Sequence, residues 1–531
     1  MATRKKTLWP IRVILGLLVI WLMGTYIIYP ELAKELRVLQ QHDRIEIGIV
    51  YLSLNLMSVG IVPLLLSRFQ GLLKLALYST LGITSFVCIA HVLIMSEGLS
   101  FQSWSLVLNN NDHVTIKSFF IKYSFKLVSA SILTMIYCLA HLFTEKYISV
   151  KSKPTVIGIT FFLSLLASYK LVSYTNGVKD SFHPIHKTLS TFLFDKVNPL
   201  YNGNRLSSAP LEIIKKGGRP KHIFLVIDES ITYGAFANTV ERLQNQDSSK
   251  TNDLRLHGEY VSGAVCSDYA NALLLVGLQP SKLPDTSQYS LKAPTLYQYA
   301  QKAGYSTAWV NSYSDNLNPY GFVNESALQS IDTLINRRDI SSSTEPYDID
   351  KDLLIKAMEW SKLQELSFVI INKVGCHFPY ALYTAPNQKA PVTDEYASCV
   401  DYTTSVYFDE LRAKLDSNSV ILYTSDHGQH LGEDPAISLT HCARKKVHWS
   451  MASVPVASFT FNQTQRTTLD SLFDINPKTH FGLFKTTISL LGYNANGNTI
   501  NLNSTERIFS SGDIFGRSPC YLHTFTPTER K

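Results

Sequence analysis

Apolar positions fall along this chain in two regimes. In the first third they form long uncharged runs, each close to the ~20 residues that a bilayer-spanning helix needs. The runs are Leu8–Tyr29, Ile45–Leu66, Leu72–Met95, Phe119–Phe143 and Pro154–Tyr174. From about Pro220 the runs become short and rich in β-branched residues: "HIFLVID", "STAWVN", "FVIIN", "SVILYTS" and "VPVASFTF". Helical stretches such as "APTLYQYAQKAG", "DIDKDLLIKAMEWSKL" and "EYASCVDYTTSVYFDELRAKL" lie between them. This alternation predicts an α/β fold with a mostly parallel central sheet and helices on both faces. The pattern divides the chain into a transmembrane domain of five helices (1–175), a connector (176–217) and an α/β domain (218–531). Within the connector, "LSTFLFDKV" is amphipathic and suits a helix lying on the membrane surface.

Charge orients the spans. The net charge of +7 sits largely in short clusters such as "TRKK" and "KYISVKSK". No basic run is interleaved with aromatics, so nucleic acid is not an expected partner. Arg4, Lys5, Lys6 and Arg12 flank the first span, Arg68 and Lys74 separate the second from the third, and Lys146, Lys151 and Lys153 separate the fourth from the fifth. All fall on one side, which the positive-inside bias makes cytoplasmic. Five spans then put the α/β domain outside; in a bacterial cell that is the periplasm, with the anchor in the inner membrane. No small-residue cleavage site follows the first run, which reads as an uncleaved anchor. The outer loop "SWSLVLNNND", with Asn110, either caps helices or helps hold a lipid headgroup.

Five of the seven cysteines (266, 376, 399, 442 and 520) lie beyond the membrane third. Five is odd, so at least one stays unpaired within the domain. No CxxC spacing occurs, which argues against a cysteine zinc site.

In parallel sheets the chemistry collects at the carboxyl ends of the strands. Polar motifs follow the apolar runs here: Asp228, Glu229 and Ser230 after "HIFLVI", "CHFPY" with His377 after "FVIINKVG", and Asp426 and His427 after "SVILYTS". His441 comes before the next strand. Glu229, Asp426 and His427 make a hard N/O ligand set that suits Zn2+, with one ion expected and room for a second. Three protein ligands leave a position for a reacting group. Ser267 starts the apolar helix "NALLLVGL", where backbone N–H groups would face a bound anion. It reads equally as an N-cap.

The order Glu after a strand, Ser at a helix start, His in "CHFPY", then "SDHGQHLGE" and a further His resembles the alkaline phosphatase superfamily. With five preceding spans it most resembles the bacterial phosphoethanolamine transferases that modify lipopolysaccharide. "VIDES", "KAGYSTAWVNS", "YDIDKDLL", "CVDYTTSVYFDEL" and "HFGLFKTTISLLGY" carry the likeness across the α/β domain. One alignment puts Ala270 at the family's nucleophilic Thr and implies an inactive membrane sensor. Sulfatases of the superfamily keep their nucleophile ten residues before a Gly and thirteen before a Pro. Gly277 and Pro280 both then point to Ser267.

The resemblance implies a two-step transfer through a phospho-serine at Ser267. Glu229, Asp426, His427 and Ser267 would hold zinc, and His377 and His441 would act as catalytic groups. Asn271, which stands at the sulfatases' Arg position, would contact substrate. Lys445, in the basic turn "ARKK", would contact an anionic lipid or glycan, or else belong to a solvated basic turn. The donor implied is phosphatidylethanolamine, and the acceptor a lipopolysaccharide (lipid A or core sugar) or another lipid-linked glycan. A phosphoglycerol transferase or lipid phosphodiesterase would use the same metal site.

Overall fold

The structure is a computed structural model. It describes residues 2–23, 45–95, 120–121, 123–147, 157, 159–166, 200–201, 203–206, 211–213, 218–248, 252–313, 323, 325–342, 344–378, 380–386, 395–432, 440–444, 446–494, 507–516 and 520–525. The chain divides into two compact units, one of residues 1–199 with 516–519 and one of residues 200–515 with 520–531.

Among its described residues the first unit contains four long helices: α1 (Ala2–Met23), α2 (Ile45–Leu66), α3 (Gly71–Met95) and α4 (Ser124–Tyr147). Among the described residues, two segments, Gly71–Ile94 and Ser124–Tyr147, are long and apolar enough to cross a membrane, and Ile11–Met23 is a shorter apolar piece. Of the expected fifth span only residues 157 and 159–166 are described. The interfacial helix and Asn110 lie outside the described residues. Small side chains let these helices approach: a Cβ on Gly16 of α1 would lie 2.1 Å from Thr144 Oγ1 of α4. Lys74, at the start of α3, pairs with Glu145, near the end of α4, and Tyr78 donates to the same carboxylate. The two helices therefore run antiparallel.

In the second unit each short apolar run becomes a strand. The strands are β1 (His222–Asp228), β2 (Leu254–Val261), β3 (Ser306–Asn311), β4 (Thr333–Asn336), β5 (Ser367–Asn372), β6 (Ser419–Ser425) and β7 (Ser453–Phe459). They form one sheet in the order β2-β7-β6-β1-β5-β3-β4. Pairing is parallel from β6 to β4, and β7 runs antiparallel to both β6 and β2. The sheet is thus mostly parallel, as the alternation predicts.

Side chains alternate across the strands. Phe224, Val226, Val369, Ile371, Ile421 and Tyr423 face one way and pack with α5 (Tyr233–Gln246), α8 (Ile349–Lys362) and α9 (Glu395–Lys414). Elsewhere Tyr297 of α7 (Leu296–Lys302) meets Phe368 of β5, and Tyr299 of α7 meets Phe484 of α11 (His480–Leu490). Helix α6 (Ser267–Val276) packs with α11. The helix α10 (Gln463–Ile475) and a two-stranded hairpin, β8 (Ile508–Gly512) with β9 (Cys520–Thr524), complete the unit.

Candidate active site

The three central strands end side by side, and each end carries polar groups. Asp228 closes β1 and is held by the buried Lys373 ammonium and the Tyr423 hydroxyl. Glu229 and Ser230 follow it. Ser230 adopts a left-handed backbone (φ 62°), which turns its hydroxyl onto Glu229 Oε1 at 2.6 Å. Beyond β6, Asp426 Oδ1 accepts from the backbone N–H groups of Ser230 and His427 at 3.1 and 2.7 Å. Gly428 completes the Asp-His-Gly turn. A Cβ there would lie 2.1 Å from Ser450 O, so only glycine fits. Gly375, after β5, has φ +50° and leaves no room for a Cβ beside Asp228 Oδ1.

Ser267 is the first residue of α6, after Cys266 in extended backbone. Its hydroxyl lies 3.2 Å from Glu229 Oε2 and 3.1 Å from His427 Nε2. Ala270 lies a turn further along α6 and is fully buried. The segment before Ser267 is clamped by the β8–β9 hairpin. Val265 N–H donates to Ser510 O at 3.2 Å, and Ser510 N–H donates to Gly263 O at 3.0 Å. A disulfide joins Cys266 to Cys442, and a second joins Cys376 to Cys399.

Electrostatics here call for a cation. His427 donates its Nδ1–H to Gly428 O at 2.8 Å, which leaves the Nε2 lone pair facing the site. Burial lowers the pKa of this imidazole. Asp426 Oδ2 is buried, accepts no hydrogen bond among the described residues, and lies 3.6 Å from His427 Nε2. Burial and the charge of Glu229 push the Asp426 carboxyl well above its usual range. Burial also opposes ionisation of Glu229, but His427, His377, His441 and the Ser230 hydroxyl outweigh it and hold that carboxyl at about 2. A lone pair, an orphaned carboxylate oxygen, an ionised carboxylate and a hydroxyl converge. The donor set fits a divalent metal such as zinc.

His441 belongs to the same cluster. One ligand atom each from Glu229, His427 and His441 lies within 4.8 Å of the others. Its ring stacks on His427 with centroids 4.6 Å apart, and its Nδ1 is 3.1 Å from Thr440 Oγ1. His377 donates Nδ1–H to Phe378 O at 2.8 Å, and its charge acts on both Glu229 and His427.

Asn271 stands one turn on from Ser267 in α6. It is buried, its amide donates to Ser267 O at 2.9 Å, and its oxygen accepts from Asn372 at 3.0 Å. Asn372 in turn accepts from Trp309 Nε1 at 3.0 Å. The physical reason is helical spacing: four residues on from Ser267, the side chain reaches back to the carbonyl of the preceding turn. Arg444 is also buried, while Lys446 is exposed. Lys445 lies outside the described residues. Asp228, a strand-end ligand candidate in sequence, is committed to Lys373 instead.

Two contributors carry no clear sequence signal, the Asn372 brace and His480, and for Ser230, visible after β1, the left-handed turn is the part that sequence does not show. His480 Nε2–H donates to Ser425 O at 2.9 Å, and burial lowers its pKa to about 4. Asp268, next to Ser267, is half-buried, and burial together with Glu229 pushes its carboxyl up to about 7.

Metal-type ligands at the ends of adjoining parallel strands, facing a hydroxyl at a helix start, define a protein of the alkaline phosphatase superfamily. Within it, the chain belongs to the sulfatase family, which matches residues 221–488. Among solved structures it is similar to the integral membrane protein lipooligosaccharide phosphoethanolamine transferase A (EptA) from Neisseria meningitidis. Identity is 15%, the match covers 91% of this chain and 96% of that one, and the TM-score is 0.61. It is also similar to the C-terminal periplasmic domain of EcEptC from Escherichia coli (16% identity, 60% and 96% covered, TM-score 0.46). A third similarity is to the lipoteichoic acid synthase LtaP from Listeria monocytogenes (13% identity, 61% and 84% covered, TM-score 0.38). No curated protein matches the chain. At these identities the likeness concerns the fold.

Proposed function

We propose that the chain is a membrane-anchored, metal-dependent transferase that moves phosphoethanolamine from phosphatidylethanolamine to a lipopolysaccharide or another lipid-linked glycan, with Ser267 as nucleophile. The observation that carries this reading is the Ser267 hydroxyl, 3.1 Å from His427 Nε2 and 3.2 Å from Glu229, beside the orphaned Asp426 oxygen. The likeness in fold to an integral membrane lipooligosaccharide phosphoethanolamine transferase supports this choice of substrate class, and the spans suit an inner-membrane enzyme working on a lipid donor at the periplasmic side.

Glu229, Asp426, His427 and Ser267 would hold a zinc ion, with His441 within reach of the same cluster. Bound there, zinc would supply the positive charge that lowers the hydroxyl pKa and neutralises phosphate oxygens. In the first half-reaction the Ser267 Oγ–P bond forms, the P–O bond to diacylglycerol breaks, and diacylglycerol leaves with a proton. In the second, the acceptor oxygen attacks the same phosphorus, and Ser267 Oγ leaves and regains a proton. His377 and His441 serve both halves. His377 uses Nδ1 on Phe378 O, so its Nε2 is the atom that exchanges protons with the departing and arriving oxygens.

Asp268 favours this donor over phosphatidylglycerol. It has no hydrogen bond or ion pair among the described residues, and an acidic side chain next to the nucleophile complements an ammonium headgroup. The test is detergent-purified full chain with zinc, supplied with headgroup-labelled phosphatidylethanolamine or phosphatidylglycerol. Label from phosphatidylethanolamine should appear on the protein and then on acceptor, and Ser267→Ala should abolish both. Labelling that survives Ser267→Ala, or that comes only from phosphatidylglycerol, overturns the reading.

A further inference from the structure

The groups that strands do not position have a feature in common: each has a half-cystine as its chain neighbour. Cys266 precedes Ser267, Cys442 follows His441, and Cys376 precedes His377. The two bonds differ in what they join. Cys376–Cys399 ties the neighbour of His377 to helix α9 of the scaffold. Cys266–Cys442 ties two site groups to each other, across 176 residues of sequence and with Cα atoms 4.5 Å apart.

We propose that the Cys266–Cys442 bond is a positioning device that sets Ser267 and His441 relative to one another; this rests on their reading as site residues above. Four observations converge on it. The bond lies one residue from each group. Beside it, Cys442 N–H donates to Val265 O at 2.7 Å, so the two segments are linked twice over. Cys442 holds a left-handed backbone at φ 56°, a conformation that a non-glycine residue keeps only where its surroundings fix it. The result of that turn is the His441 ring stacked on His427 at 4.6 Å, while His427 Nε2 faces Ser267 Oγ. Without the cross-link, Ser267 and His441 would be held relative to one another by hydrogen bonds alone.

The experiment compares full-length protein in detergent with two double variants, Cys266→Ala/Cys442→Ala and Cys376→Ala/Cys399→Ala. Zinc affinity is read by competition with a metal-indicator dye, and headgroup transfer from labelled phosphatidylethanolamine by kcat and KM. The first variant should bind zinc about 10- to 100-fold more weakly and lose kcat by a similar factor, the usual scale for groups that orient a metal site. Its donor KM should stay within about twofold. His441→Ala, costly in the wild type, should cost nothing further in that background, because coupled residues are non-additive. The second variant should keep zinc affinity within about threefold. Should the first variant fail to fold, one Gly inserted between His441 and Cys442 keeps the bond while lengthening the link, and the same zinc loss is expected. Wild-type zinc affinity in the first variant or the insertion, or a fully additive His441→Ala effect, overturns the proposal. A wild-type protein that binds zinc but transfers neither headgroup sinks the functional reading alone, and the zinc comparison still decides this one.

Discussion

Two buried aspartates end neighbouring parallel strands, and their surroundings differ. Asp228 at the end of β1 meets the Lys373 ammonium and the Tyr423 hydroxyl, so its charge has a permanent counter-ion built from the chain. Asp426, just past β6, has one oxygen on two backbone N–H groups, and the other accepts no hydrogen bond among the described residues. A third corner, at the end of β5, is neutral: Asn372 links Trp309 to Asn271 and so to Ser267. The contrast separates structure from chemistry. On the proposed reading, the rigid corner has its cation in Lys373 and the reacting corner leaves that place for a metal ion.

The sharpest way to break this comparison is at Asp426. Asp426→Asn should abolish zinc binding and lower transfer by about 10³-fold or more. In metal-free protein it should raise stability by about 1–3 kcal/mol, because an amide replaces a buried carboxyl whose ionisation the charge of Glu229 opposes. Calorimetry with and without chelator checks both signs. Lys373→Met should do the reverse. It strands the buried Asp228 charge and should cost about 3–5 kcal/mol whether or not zinc is present. Equal metal dependence for the two variants would erase the distinction drawn here.

Asn271→Ala probes the neutral corner. It removes two hydrogen bonds, the one to Ser267 O and the one from Asn372, each worth about 1 kcal/mol, and should lower kcat about tenfold with zinc affinity retained. The smallest effect concerns His480. Unfolded imidazole titrates near ~6.5, while burial holds the folded group at about 4. The unfolded chain therefore binds the extra proton between those values. Stability is complete above that window and falls as pH is lowered through it, by at most about 1.4 kcal/mol per pH unit. His480→Gln should flatten that slope in melts recorded with chelator present.

How much of this was legible beforehand depended on whether a signal was local. "HIFLVID" and "SVILYTS" are buried on both faces, so they read as continuous apolar runs, and the polar residues after them stood out. Strand β2, "LRLHGEYV", did not. It is an edge strand with an exposed Arg255 and half-buried neighbours, so its hydrophobic pattern is diluted. Strand β4 has four residues and gives too little pattern to count. In the site, Glu229, Asp426, His427 and the helix start at Ser267 were visible because each follows directly from its own element. The Ser230 turn, the Asn271 brace and both disulfide pairings were not, because each is defined by a partner that only the fold brings near.

One feature at the head of the second unit bears on how this protein can be cut. Before the sheet begins, Arg205 sends its guanidinium to the carbonyls of Ser290 and Ala293, both at 2.9 Å. Its backbone N–H donates to Ser326 Oγ at 2.8 Å, Leu206 N–H reaches Lys292 O at 2.7 Å, and Tyr201 N–H reaches Gln288 Oε1 at 2.6 Å. A soluble fragment begun at the first strand would lose this strap and leave the Ser290 and Ala293 carbonyls bare. A fragment begun at Leu200 keeps it, and a protease that trims freed domains to their folded limit should stop ahead of Tyr201 rather than at His222.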